Sequence, residues 1–135
     1  MTNIDLAQSY LLKASSRLKI LDVLLAEADY SDVIREAQEV VELATKAMLR
    51  RAGIDPPKWH DVGSIIMDHL AHFPPVLHAE LEATARISKA LRKERELSFY
   101  GEVDFIPSEE YTREQAAQAI ADARYVVELA RRLIQ

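Results

Sequence analysis

The chain has 135 residues, of which 49% are hydrophobic and 29% are charged, and its formal net charge at pH 7 is −5. These proportions predict a globular domain with its own core and exclude both a disordered chain and a protein that is basic as a whole. The sequence contains no cysteine, which excludes disulfides, thiolate metal sites and thiol catalysis and is typical of a reducing cytoplasm. No segment approaches the roughly 18 apolar residues of a membrane span, so we expect a cytoplasmic protein without membrane association.

Hydrophobic residues recur at helical spacing almost from the start of the chain, and the first series predicts a long helix. Thr2 and Asp5, three residues apart, have the spacing that caps a first helical turn. The series is also close to a heptad, which is typical either of a bundle core or of the seam of a homodimer. Its members are Ala7, Leu11, Ala14, Leu18, Leu21, Leu25 and Ala28.

A second helix is predicted after residues 29–32, which interrupt the pattern and offer side-chain oxygens for a new N-cap. Gly53 is predicted to follow its last turn as the C′ residue, and the Pro-Pro pair at 56–57 prevents the helix from continuing. Glu42 and Lys46 are four residues apart within it, which favours an ion pair on its surface. Its core series is Val33, Ala37, Val40, Ala44 and Ala47.

The second half of the chain predicts three more helices. A short one covers residues 62–70, where Asp61 could provide the N-cap, and Pro75 suits the first turn of the next. Residues 99–111 form the one substantial loop, and Thr112 and Gln115 then have capping-box spacing at the start of the last helix. The fourth series is Leu77, Leu81, Thr84, Ser88 and Leu91, and the last is Ala116, Ile120, Ala123, Val127, Ala130 and Ile134.

These helices predict an all-α fold in a single domain over residues 1–135. Most of the links are short, and short links make successive helices antiparallel neighbours. No strand-like alternation persists for more than a few residues. We therefore expect an up-and-down antiparallel bundle of about five helices.

Several familiar catalytic and binding motifs are absent from the sequence, namely a Gly-rich phosphate loop, a Ser nucleophile elbow and a His-Glu-x-x-His zinc helix. His69 and His72 are three residues apart near the end of the short helix. That spacing either shares a metal ion or leaves two solvated histidines near the C-terminal end of the helix dipole. Because no carboxylate motif lies nearby, we favour the second interpretation and predict neither a metal nor a cofactor.

Two segments contain candidate binding residues. Arg92 and Arg95 are three residues apart on one helix face and are followed by an aromatic pair that ends with Tyr100. Such a run is usually a solvated, salt-bridged helix end, but guanidinium groups beside aromatic rings also suit phosphate contact with base stacking. His60 stands beside the only tryptophan, where it either bonds a backbone carbonyl or projects toward a ligand.

Taken together, these pieces resemble a HEPN domain over nearly the whole chain. The resemblance rests on the order and spacing of many small matches and not on any one of them. The matching residues are Ala7, Tyr10, Leu11, Ala37, Gln38, Glu39, Glu42, Lys46, Ala47, Gly53, Ile54, His60, Asp61, Val62, the segment 95–101, Ala116, Ala119 and Ala123.

The resemblance implies a dimer in which helix ends form a shared cleft. Many HEPN domains are metal-independent endoribonucleases or toxins that carry an Arg followed at a short interval by a His. Others bind nucleotides or RNA, or act as non-catalytic partners of a minimal nucleotidyltransferase. Here four residues separate Arg95 from Tyr100, which stands where the His is expected. A phenol titrates near pH 10 and an imidazole at about 6.5, so Tyr100 is a poor general base at neutral pH.

We therefore expect a homodimeric nucleotide- or RNA-binding or interaction module that is paired with a minimal nucleotidyltransferase, as in toxin–antitoxin systems. Its ligand would be bound by Arg92, Arg95, Tyr100, His60 and Lys46. One alternative is metal-independent RNA cleavage, with Arg95 stabilising the phosphorane charge and His60 or Tyr100 moving protons. The other alternative is a structural helical dimer whose charged run is only a solvated surface.

Overall fold

The computed structural model describes residues 2–56, 58, 61–99, 106 and 110–135, and it gives only the backbone for residues 95–99. Within these ranges the chain forms five α-helices and no strand. Two short 3₁₀ turns, Leu70–His72 and Pro75–Leu77, connect the third helix to the fourth. The helices are α1 Asn3–Ala26, α2 Tyr30–Arg51, α3 Val62–Asp68, α4 His78–Phe99 and α5 Arg113–Ile134.

The directions of the long helices follow from the side-chain pairs that join them. In the pairs α1–α2, α1–α5 and α4–α5, the residue number rises along one helix as it falls along the other, so α2 and α5 are both antiparallel to α1, and α4 is antiparallel to α5. The pairs are Asn3–Arg50 and Arg17–Glu36, Ser15–Arg131 and Asp22–Arg124, and Glu80–Arg132 and Glu94–Tyr111. The predicted up-and-down antiparallel bundle is therefore confirmed.

Helix α2 is the centre of the bundle, since it packs against each of the other four helices. Thirteen of its 22 residues are buried, and its predicted series from Val33 to Ala47 is completely inaccessible. It also packs directly on α5, whereas α4 and α5 meet at few points. Helices α1 and α4 thus lie on opposite flanks of an α2–α5 core.

The helix ends confirm most of the local predictions. Thr2 and Thr112 each form a capping box with the residue three positions later. Gly53 ends α2 with φ +80°, and its N–H donates to the Arg50 carbonyl at 3.0 Å, as expected for a C′ glycine. Asp61 caps α3 by accepting a 3.0 Å hydrogen bond from the backbone of Gly63. All six residues of the last predicted series are buried.

The first helix differs from its prediction at its C-terminal end. Helix α1 ends at Ala26, so Ala28 is not part of its buried series but an exposed turn residue with φ 58°. Asp29 stands at the N-cap position of α2, yet its side chain makes no capping hydrogen bond. Most of the α1 series is buried within the chain, so these residues are bundle core and are not free to form a homodimer seam.

None of the described helices is both long enough and apolar enough to cross a lipid bilayer.

Candidate functional site

Helix α4 carries a concentrated group of positive charges on its outer side. Arg86, Lys89, Arg92 and Lys93 are all exposed, and we call them the α4 cationic face. They occupy about two helical turns, and no acidic residue stands between the first and the last of them. In a protein with a net charge of −5, this segment is a local exception to the overall sign.

The side-chain contacts leave most of this charge uncompensated. Among the described side chains, Arg86, Lys89 and Lys93 form no ion pair, whereas Arg92 takes part in an interaction. Exposed cations attract phosphate groups, and Arg92 and Lys93 lie beyond the groove that Arg86 and Lys89 share with Asp61, Asp68 and Glu82. The face therefore has the electrostatic property that a nucleic-acid or nucleotide ligand requires.

The next carboxylate along α4, that of Glu94, is directed toward α5. The Tyr111 hydroxyl donates a 2.8 Å hydrogen bond to Glu94 Oε2, and the tyrosine itself is buried. Burial raises the pKa of the Tyr111 phenol above its ordinary value, and the hydrogen bond to Glu94 and the charge of that carboxylate raise it further. Tyr111 is therefore a stable proton donor at neutral pH, and Glu94 is engaged away from the cationic face.

A row of polar side chains at intervals of four residues runs along α2. Lys46 Nζ lies 3.3 Å from Glu42 Oε1, which confirms the predicted ion pair. Gln38 donates a 2.9 Å hydrogen bond to Glu42 Oε2, so both oxygens of that carboxylate are occupied. The other amide atom of Gln38, Oε1, is buried without a partner among the described atoms. Because Lys46 is held by Glu42, its predicted contact with a ligand would have to compete with this pair.

Helix α3 lies directly on the backbone of α4, one turn before Arg92. A Cβ atom added to Gly63 would stand only 3.0 Å from Ala85 Cα and 3.2 Å from Ser88 Cβ. Beside this contact, an open groove of about 360 Å³ lies between the two helices. Asp61 borders the groove on the α3 side and Lys89 on the α4 side.

The residues predicted to bind a ligand lie on separate elements. Lys46 belongs to α2 and Arg92 to the exposed side of α4. Arg95 is in the last turns of α4, but its side chain is outside the described part, and His60 and Tyr100 are outside it entirely. The contacts of these three side chains with a ligand stay predictions.

Sequence reasoning missed Arg86, Lys89 and Lys93, which supply most of the cationic face. Their spacing of three and four residues was a usable signal, since it places them on one side of a helix. That side is not the one that carries the buried residues Leu81, Thr84, Ser88 and Leu91. The aromatic pair that follows Arg92 and Arg95 favoured a site at the end of the helix over one in its middle.

The histidines of the connecting segment are partly explained by backbone contacts. His69 Nδ1 lies 2.9 Å from the Ile65 carbonyl oxygen, and since a carbonyl only accepts, this nitrogen carries the hydrogen. The His69 and His72 rings are 5.4 Å apart between centroids. Among the described residues, no group of three or more side chains has the arrangement of a metal site.

Comparison with known proteins gave one match. The family model of the HEPN domain matches residues 7–133, nearly the whole length of the chain. Searches of curated proteins and of solved structures returned no match.

Proposed function

The chain belongs to the HEPN domain family, and on this premise we propose that it binds single-stranded RNA or nucleotides through the α4 cationic face, without cleaving RNA. The supporting observation is the row of four exposed cations with no acidic residue among them. Binding of phosphate groups to such a row releases counterions, which supplies much of the affinity of proteins for nucleic acids. An acidic protein with one basic face also discourages binding of RNA in other orientations.

We expect no cleavage because of the residue that stands five positions after Arg95. The family resemblance places an imidazole there in ribonucleases, and this chain has Tyr100. A phenol holds its proton near neutral pH and can donate to a phosphate oxygen, but it does not deprotonate a 2′-hydroxyl at a useful rate. Arg95 and Tyr100 would therefore bind phosphate, with His60 and Lys46 as further contacts.

We extend the proposal to the assembly that the resemblance implies. A symmetric homodimer would bring two α4 cationic faces together and double the local positive charge. The protein would then act beside a minimal nucleotidyltransferase, as the non-cleaving member of a toxin–antitoxin-like pair. Size-exclusion chromatography with light scattering tests the first part, and co-purification with such an enzyme tests the second.

The binding test uses fluorescence anisotropy with a labelled single-stranded RNA of about 12 nucleotides. The variant Arg92→Gln with Lys93→Gln removes two charges from the α4 cationic face but leaves the α3–α4 groove intact. Its affinity should fall roughly tenfold, and the slope of log Kd against log salt should fall by about 1 between roughly 50 and 200 mM salt.

The matched control for this test is Lys13→Gln with Lys19→Gln, which removes the same charge from exposed positions of α1. RNA affinity of the control should stay close to that of the natural protein. Equal losses in the two double variants would mean that only net charge matters, and the assignment to α4 would then be wrong.

A cleavage assay separates the proposal from the ribonuclease alternative. The protein and its Arg95→Ala variant are each incubated with mixed RNA in EDTA. We expect no cleavage by either protein. Cleavage that requires Arg95 would instead make this residue catalytic and replace the binding role with metal-independent RNA hydrolysis.

A further inference from the structure

We infer that the groove between α3 and α4 holds one nucleotide, with its phosphate near Lys89 and Arg86 and the hydrogen-bond donors of its base near Asp68 and Glu82. This inference deepens the proposed function and rests on it, since it names the ligand unit and the part of the molecule that discriminates among bases. The groove has a volume of about 360 Å³ and is open to solvent, which is adequate for a ligand of this size.

The two helices run in opposite directions along the groove, which gives it two different ends. Gly63, near the start of α3, lies against Ala85 and Ser88, well inside α4. The end of α3 is joined by the 3₁₀ turns to the beginning of α4. Moving forward along α3 therefore means moving backward along α4, which sets Asp61 toward Lys89 and Asp68 toward Glu82.

The two ends of the groove differ in charge. Lys89 lines one end together with Asp61, whose carboxylate accepts a hydrogen bond from the Gly63 backbone, and the α4 cationic face continues beyond Lys89 with Arg92. Arg86 lies between Lys89 and Glu82 along α4. Asp68 and Glu82 line the other end. Lys89 and Glu82 are seven residues apart, which is about 10 Å along an α-helix. This is comparable to the distance from the phosphate of an extended mononucleotide to the far edge of its base.

The groove also has apolar wall residues on which a base can stack. Met67, next to Asp68, is 40% exposed although it belongs to the wall of the groove, and Ala85 borders the groove on the α4 side. A thioether makes favourable contacts with aromatic rings, and its flexible side chain adapts to rings of different sizes. A stacked base would remove the exposed surface of Met67 from water.

The acidic end of the groove predicts which bases are preferred. Ionised carboxylates only accept hydrogen bonds, so they select bases that present donors. Guanine presents an N1–H and an amino group on the same edge, and adenine and cytosine each present an amino group. Uracil presents one N–H between two carbonyl oxygens, which the carboxylates of Asp68 and Glu82 would repel. The groove should therefore bind GMP more tightly than UMP.

The test is a titration of the ¹⁵N-labelled protein with 5′-GMP and, separately, with 5′-UMP, followed by NMR. We expect roughly tenfold tighter binding of GMP, with shift changes at Ser64, Met67 and Lys89. Asp68→Asn replaces an acceptor by a group that also donates and should remove most of this preference. Glu27→Gln, at the exposed end of α1, is the control that loses one carboxylate elsewhere and should retain it.

A second variant tests the stacking surface independently of charge. Met67→Ala should weaken the binding of GMP and of UMP by similar factors, because it removes contact with the ring of the base and not with its hydrogen-bonding edge. A change in the GMP-to-UMP ratio without general weakening would contradict the position assigned to the base.

Two further RNAs, which differ only by G or U at one position, identify the source of the nucleotide. Discrimination between these RNAs that is lost in Asp68→Asn means that the groove holds a nucleotide within a strand. Discrimination among mononucleotides alone means that it holds a free nucleotide.

Equal affinity for GMP and UMP, or shift changes that avoid the groove, would overturn the inference. RNA affinity that still depends on Arg92 and Lys93 would in that case leave the proposed function standing. If neither the GMP preference nor the dependence of RNA affinity on Arg92 and Lys93 is observed, the proposed function is wrong as well.

Discussion

The hydroxyl of Tyr111 donates a 2.8 Å hydrogen bond to the carboxylate of Glu94 and thereby joins the start of α5 to the last third of α4. This bond spans two helices that otherwise touch at few points. It also determines where a negative charge lies, because Glu94 is engaged on the α5 side and does not neutralise the α4 cationic face. A hydrogen bond between a neutral phenol and a carboxylate is charge-assisted and stronger than one between neutral groups.

Replacing Tyr111 with Phe should therefore lower the free energy of unfolding by about 1–2 kcal/mol, since Glu94 loses its donor in a half-buried position. Urea denaturation measures this change. Tyr125→Phe is the matched control, because this tyrosine is 40% exposed, and it should be nearly neutral. Equal effects of the two variants would mean that the Tyr111 hydrogen bond adds nothing to stability.

The contact between α3 and α4 predicts a steric effect at Gly63. In Gly63→Ala the new Cβ would lie 3.0 Å from a backbone atom, Ala85 Cα, which cannot move aside as a side chain does. We expect a loss of roughly 1–3 kcal/mol in stability, together with weaker GMP binding, because α3 must shift away from α4. Thermal unfolding and the NMR titration measure the two effects.

Gly53→Ala provides the comparison for this prediction. Gly53 has φ +80°, so an alanine there is strained, but its Cβ would meet nothing within 4 Å. Gly53→Ala should lower the free energy of unfolding by about 1 kcal/mol without affecting GMP binding. If Gly63→Ala also leaves GMP binding unchanged, the position of α3 does not matter for the groove.

The start of α2 predicts a pH-dependent stability. Burial raises the pKa of Asp32 from 3.8 to about 6, and a hydrogen bond with Asp29 and the charge of that residue act in the same direction. The folded protein thus holds a proton that the unfolded chain releases, so stability should rise as pH falls from 7 toward 5. Below about pH 4 both states are protonated, and this contribution no longer varies with pH.

Asp32→Asn should remove this dependence, because an amide does not titrate. At pH 7 the variant should be more stable by about 1 kcal/mol, a value reduced to allow for partial exposure of the carboxyl. Chemical denaturation of both proteins between pH 4 and 7 tests this. An unchanged slope in the variant would assign the pH dependence to other groups.

Two ion pairs that join α1 to its neighbours differ in burial, and this difference predicts different contributions to stability. Glu36 is 8% exposed and lies 2.8 Å from Arg17, whereas Asp22 and Arg124 are both more than half exposed. Arg17→Met leaves a buried carboxylate whose remaining ion-pair partner among the described residues is Arg35 at 3.9 Å, and it should cost about 2 kcal/mol.

Arg124→Met breaks the exposed pair and should cost well under 1 kcal/mol, because solvent screens it. Thermal unfolding of the two variants at equal ionic strength compares them directly. A larger loss in Arg124→Met would mean that the two hydrogen bonds from one Arg124 nitrogen to Asp22 outweigh the burial of Glu36.

The sequence was sufficient for features that depend on residues close together in the chain. Most of the apolar series, the two capping boxes and Gly53 follow from spacing within one helix, and the structure confirms them. The exceptions are Ala28, which is exposed, and Leu77, which lies in a 3₁₀ turn before α4. Features that depend on a partner helix could not be predicted. Gly63 is important because Ala85 lies against it, and nothing near residue 63 indicates this. The single-domain assignment over residues 1–135 stays a prediction.

The candidate site shows the same limit. Spacing alone is sufficient to place Arg86, Lys89 and Lys93 on one side of a helix, although the sequence analysis did not select them, but their ability to bind a ligand depends on which carboxylates lie near them in space. The contact between Glu94 and Tyr111 depends on how α4 and α5 pack, which the sequence alone does not specify. Contacts of Arg95, Tyr100 and His60 with a ligand stay predictions for the same reason.

The side-chain pairs between α1 and α5 also affect how the protein emerges during synthesis. Asp22 and Arg124 are separated by 102 positions, and Ser15 and Arg131 by 116. A nascent chain that lacks α5 can pair α1 with α2 through their short turn, but the side of α2 that packs on α5 then remains bare. Such a ribosome-bound intermediate would expose apolar surface until α5 has been synthesised, which makes it a substrate for chaperones.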